Sequence, residues 1–253
     1  SILENYRSGI GEWNATMSNT MSNSLMVGYT TNDESRGDIG TLFPFIDILD
    51  GAGVAYTSLG SEPFTPSNEL RYNTFQLQDS FTKYTSRHTF TFGASFERYR
   101  SENVFFPGKQ SAYVYNSLND FFTDLNGYLA NPNRTTSPVS LRRFQVRYTN
   151  IPGQEKPIQP LSVWYSGGYV QDVWRPRPNV TLTAGLRMDI TKFGDTAYGN
   201  PTVNALTFRD ETGAPVQYDT GKLPDSKPLW SPRLGFNWDV SSDARTQVRG
   251  GTG

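Results

Sequence analysis

The chain has 253 residues, enough to bury a sizeable core, and carries 23 Lys and Arg against 24 Asp and Glu. That balance lacks the electrostatic signature of nucleic-acid binding, so no nucleic-acid partner is expected. With no cysteine and a single histidine, His88, the chain cannot form disulfides or thiolate zinc sites and has little from which to build a His-containing triad.

Four stretches in chain order share one plan: a strand, a short polar turn, a strand. The first lies near 12–32 and runs from Glu12 through "WNATMSNT" into Leu25 and "MVGYTTN". The second, near 73–100, places Phe75, Leu77 and Phe81 on one face with Asp79, and Gln76, Gln78 and Ser80 on the other. After a turn near Ser86, Phe90, Phe92, Ala94 and Phe96 alternate with Thr91, Gly93, Ser95 and Glu97.

The third, near 161–190, has a weakly patterned first strand that is apolar or glycine on both faces. It is followed by the turn "RPRPN", where two prolines supply no N–H and pairing is expected to pause. Its second strand is the clearest in the chain. Val180, Leu182, Ala184, Leu186, Met188 and Ile190 alternate with Thr181, Thr183, Gly185, Arg187 and Asp189. The fourth, near 231–253, alternates Leu234, Phe236, Trp238 and Val240 with Arg233, Gly235, Asn237 and Asp239 before the turn "SSDA". These are period-2 patterns, each long enough for a half-buried strand.

Between the hairpins lie long segments near 33–72, 101–160 and 191–229, rich in Asn, Asp, Ser, Gly, Pro and aromatics. Connections of that length count against a compact soluble domain. Short turns alternating with long loops match the order found in outer-membrane barrels. No apolar run of about 18 residues exists, which excludes a transmembrane helix and leaves a transmembrane barrel open. Strands of about nine to eleven residues suffice to cross hydrocarbon, and Tyr84, Tyr99, Trp174, Trp230 and Trp238 stand near strand ends, where interface girdles belong. The expected fold is all-β: an antiparallel transmembrane β-barrel segment of about eight strands, with residues 1–253 forming part of one barrel domain.

The quoted strands also resemble a known family. "YVQDVW" at Tyr169–Trp174, "VTLTAGLRMD" at Val180–Asp189, "SPRLGFNWD" at Ser231–Asp239 and "RGG" at Arg249–Gly251 look like consecutive barrel hairpins of TonB-dependent outer-membrane receptors. The Oar-like branch, which carries a carboxypeptidase-regulatory-like domain, is the most similar. The resemblance covers most predicted strands and little of the loops. It implies a barrel of about 22 strands with a plugged lumen, and uptake of a scarce ligand driven through TonB. No plug, TonB box, regulatory-like domain or aromatic-terminated last strand is found in this sequence. The chain is therefore expected to be a piece of something longer, with outer-membrane lipid, an unknown ligand and the TonB complex (through the parent's plug) as partners. A small passive outer-membrane barrel and a soluble all-β binding domain are the alternatives.

No Walker A, GxSxG or HExxH signature occurs, and "DESRGD" lacks EF-hand spacing, so no enzyme activity, metal or cofactor is expected. His88 reads as a turn or interface residue. Arg187, Asp189, Arg233, Asn237 and Arg249 fall on the polar face and are expected to line the lumen or touch a plug. Ligand contact is expected from loop aromatics: Phe43, Phe45, Tyr113, Tyr115, Phe121, Phe122 and Tyr128.

Overall fold

The structure is a computed structural model that describes residues 2–36, 40–151, 153–194 and 198–253. In chain order its elements are β1 (Ile2–Ser18), β2 (Met21–Arg36), β3 (Phe45–Leu49), β4 (Ala55–Leu59), β5 (Glu69–Tyr84), β6 (His88–Val104), β7 (Ala112–Tyr115) and α1 (Leu118–Ala130). Then follow β8 (Arg143–Gln145), β9 (Ile158–Arg177), β10 (Val180–Gly194), α2 (Pro201–Asn204), β11 (Phe208–Arg209), β12 (Pro215–Val216), β13 (Leu229–Asp239) and β14 (Gln247–Thr252). No described helix is long and apolar enough to cross a membrane.

Eight strands pair in the order β1-β2-β5-β6-β9-β10-β13-β14, so each long strand neighbours the next along the chain. This is the all-β architecture expected from the alternation. Strands β1, β2, β5, β6, β9 and β10 run 15 to 20 residues, well beyond the nine to eleven or so needed to span hydrocarbon. The first hairpin begins earlier than its sequence pattern suggests, because Ile2–Gly11 pairs despite its mixed faces.

The hairpin turns are residues 19–20, 85–87, 178–179 and 240–246; the intervening connections are 37–68, 105–157 and 195–228. In the second turn Thr85 Oγ1 donates to the His88 carbonyl while the His88 N–H donates to Thr85 Oγ1. The proline-rich turn differs from expectation. Pairing does not pause at Arg175 but continues to Arg177 opposite Val180, with a bulge between Val180 and Leu182. A bulge leaves one residue unpaired, which lets a strand containing Pro176 stay in the ladder.

The chain divides into two compact units. One comprises residues 6–32, 72–101 and 160–253 and holds the bulk of the large sheet. Register places Leu182 between Trp174 and Phe236, Ala184 between Asp172 and Leu234, and Leu186 between Val170 and Pro232. This apolar face stays uncovered: Phe92 is 48% exposed, Leu186 43% and Phe236 45%. A soluble sandwich would have packed these three into a dry interior. Tyr84 and Tyr99 share the alternation of Gln76, Gln78, Ser95 and Glu97, so only the tryptophans of the expected girdle lie with the apolar residues.

The second unit, residues 1–5, 33–71 and 102–159, corresponds largely to segments read from sequence as long loops. It contains a four-stranded sheet, β4-β3-β7-β8, in which β3 and β7 run parallel and the other pairs antiparallel. Helix α1 starts at the N-cap Ser117, whose hydroxyl accepts from the Asp120 N–H. All the buried hydrophobic residues described, Ile48, Leu49, Val104, Phe106, Ala112, Val114 and Tyr115, belong to this unit. Among the described residues the large sheet has no comparable core.

Candidate functional site

The polar face of the large sheet is built in rows across β9, β10 and β13. Directly paired residues point the same way in an antiparallel sheet. One row is Tyr169, Arg187, Ser231; the next, toward the turns, is Gln171, Gly185, Arg233. Gly185 has no side chain to obstruct this second row, and Arg233 Nη1 reaches across it to donate to Gln171 Oε1 at 3.1 Å. On the other side of the first row Asp189 pairs with Gly167. Arg187 Nε donates to both Asp189 oxygens, at 3.0 and 2.8 Å, and its Nη2 donates to the Tyr165 hydroxyl at 3.1 Å. The Tyr165 hydroxyl in turn donates to Asp189.

Glycines make this arrangement possible. A Cβ at Gly167 would run into Asp189 Oδ1 and stand 2.8 Å from Arg187 Nη2. A Cβ at Gly93 would enter the Tyr169 ring, whose hydroxyl lies 3.4 Å from Ser80 Oγ. The Arg187 guanidinium sits 5.9 Å from the Tyr169 ring centroid, within cation–π range. Further along the face Gln76 Nε2 donates to Glu97 Oε2 at 2.7 Å, and Asn237 pairs with Arg249. Arg187, Asp189, Arg233, Asn237 and Arg249 therefore share one face, the first two in direct contact. Their partners Tyr165, Tyr169 and Gln171 were not singled out from sequence, because register decides which residues meet and β9 is weakly patterned.

His88, the one histidine, sits on the apolar side. Its Nδ1 lies 2.7 Å from Asp172 Oδ2, and its ring stacks between Phe90 and Trp174 at centroid distances of 5.4 and 5.7 Å. Among the described residues no group of three or more His, Asp or Glu could hold a metal ion.

A family model described as an outer membrane beta barrel domain matches residues 2–253. The chain belongs to that family. A search of curated proteins found no match. As an outer membrane beta barrel domain, the chain resides in the bacterial outer membrane, and the long amphipathic strands are its membrane-crossing elements.

The loop aromatics of this barrel domain have separate fates. Tyr115 is buried, meets the Phe121 ring edge-on at 5.4 Å, and donates its hydroxyl to Asp124 at 2.7 Å. Tyr113 lies 4.9 Å from Phe144, and Phe45 pairs with Ala112. Phe43, Phe122 and Tyr128 keep exposed rings. Burial raises the Tyr115 hydroxyl well above its ordinary pKa, and the bond to Asp124 adds to this.

Proposed function

We propose that this chain is a barrel segment of a TonB-dependent receptor that moves a ligand across the outer membrane without catalysing a reaction. The observation that carries the reading is topological. Eight strands pair in chain order, with short turns at 19–20, 85–87, 178–179 and 240–246 alternating with connections of more than thirty residues. That is the pattern of short periplasmic turns and longer extracellular loops of outer-membrane barrels. The hairpin motifs at Tyr169–Trp174, Val180–Asp189 and Ser231–Asp239 support the finer assignment, including the Oar-like branch. On this reading Leu182, Leu186 and Phe236 touch lipid, while Arg187, Arg233 and Arg249 face an aqueous bore or a plug. Of the aromatics expected to contact a ligand, Phe43 in its loop and Phe122 and Tyr128 on α1 are exposed to meet one.

Face assignment has a direct test. In phospholipid vesicles, Leu186→Arg is expected to cost about 2 kcal/mol of stability, as a charge on the lipid side of a barrel strand does, and Thr183→Arg close to nothing. Urea unfolding of both variants decides it, and the reverse order of costs would reject the membrane-facing assignment. The TonB arm is tested in the cells that make the protein. Cross-linking is expected to recover TonB with the parent protein that carries this barrel segment, through its plug, whereas a parent that never meets TonB would favour the small passive alternative.

A further inference from the structure

The polar face carries a cleft of about 510 Å³ lined by Gln78, Thr91, Tyr169, Gln171, Arg187 and Arg233, among others, with no acidic side chain in its wall. That volume suits a small solute, since ligand pockets usually fall between about 300 and 1,000 Å³. Arg187 and Arg233 occupy diagonal positions on neighbouring strands, because Arg187 is opposite Ser231 and Arg233 is two residues on. Like charges so placed repel unless something neutralises them.

Their environments differ. Arg187 is clamped by both Asp189 oxygens and by Tyr165. Arg233 makes only the bond to Gln171 Oε1 through Nη1, and it forms no ion pair among the described residues. Its side chain lines the cleft together with Gln171 and Gly185. A cation fixed by a neutral amide, in a cleft that a second guanidinium and the side chains of Ser231 and Thr91 also line, is chemically matched to a carboxylate on a hydroxylated solute.

We infer that this cleft is a binding site for the carboxylate of a small, hydroxyl-bearing solute, with Arg233 as the primary anion ligand and Arg187 as a positioned second cation. The inference rests on the reading that the polar face is wetted by the bore. It narrows the ligand class to anions, which neither the family nor the loop aromatics indicate.

Malate serves as the probe and its neutral dimethyl ester as the control, with the full chain refolded in detergent micelles and binding followed by calorimetry. Malate is expected to bind with Kd near 1 mM or tighter, and the ester at least tenfold more weakly. Raising salt should weaken malate and leave the ester unaffected. Arg233→Gln is expected to lower malate affinity about tenfold, while Arg249→Gln, outside the cleft, changes it less than twofold. Ester binding equal to malate on the unaltered chain would overturn the inference whether or not the variants fold.

Labelling of Thr183→Cys with a membrane-impermeant maleimide separates the two ideas, in a chain otherwise free of cysteine. If Thr183→Cys reacts and malate does not bind, the cleft inference alone fails. If Thr183→Cys is sealed from water, the bore reading fails and the inference falls with it.

Discussion

Gly167→Val is expected to cost about 3 kcal/mol, whereas Gly168→Val, one residue along, should be neutral or slightly stabilising. Both glycines lie inside β9, where the backbone is extended and φ is not in the left-handed range, so torsion demands glycine at neither. Space separates them. A Cβ at Gly167 runs into Asp189 Oδ1, stands 2.8 Å from Arg187 Nη2 and 2.9 Å from Ser95 Oγ. Those atoms cannot swing aside cheaply, since Asp189 holds Arg187 through two hydrogen bonds and Tyr165 bonds to both. The substitution adds overpacking of about 1–3 kcal/mol to the loss of a charge pair worth about 1 kcal/mol, its Asp189 side chain 16% and its Arg187 side chain 36% exposed. A Cβ at Gly168 would meet only the Gly93 carbonyl oxygen, at 3.8 Å, and valine favours strands. Urea midpoints of the two variants in micelles provide the measurement. Equal destabilisation would show that the strand needs glycine for its backbone and that the Arg187 network adds nothing.

The same residues show what was legible before the structure. Alternation in β10 and β13 put Arg187, Asp189, Arg233 and Asn237 on one side, because side-chain direction in a strand has period 2 and is written directly in the sequence. Which residues meet depends on register between strands, and register is not written in either strand alone. Tyr165 and Gln171 were thus invisible as partners of Arg187 and Arg233, and so was the contact of His88 with Asp172. The second unit resembles loop in the sequence for a different reason. Its strands β3, β4, β7 and β8 are three to five residues long, and β3 pairs in parallel with β7 from a distant part of the chain. Such short segments carry too few alternations to stand out. Helix α1 did leave a signal: Ser117 three residues before Asp120, then Leu118, Phe122, Leu125 and Leu129 at helical spacing. A search for strand period alone passes over it.

Removing the Asp124 carboxylate is expected to destabilise the second unit by about 3 kcal/mol and to lessen its sensitivity to acid. The carboxylate gathers three donors from well-separated positions: the Tyr115 hydroxyl at 2.7 Å, Arg134 Nη2 at 2.6 Å, and the Ser137 hydroxyl. It thereby ties the end of β7 and the segment after α1 to the middle of the helix. Asp124 and Arg134 side chains are only 14% and 19% exposed, so Asp124→Ala strands a largely buried guanidinium and a buried phenol, each of which costs free energy to leave unpaired. Burial by itself raises the Asp124 pKa, but the hydrogen bonds from Ser137, Tyr115 and Arg134 and the Arg134 charge outweigh it and hold the group below the usual carboxylate range. A carboxylate whose folded pKa lies below its unfolded value of about 3.9 stabilises the fold above that value. The stabilisation is lost as pH falls through the folded pKa. Protection of amides in β7 and α1 against hydrogen exchange should therefore fall below about pH 4 in the unaltered chain, while amides in β10 serve as an internal reference. In Asp124→Ala the same amides should exchange faster already at neutral pH, with no further step attributable to this group on acidification. An acid step of undiminished size in the variant would mean that another carboxylate governs the unit, and that the convergence on Asp124 contributes little to holding it together.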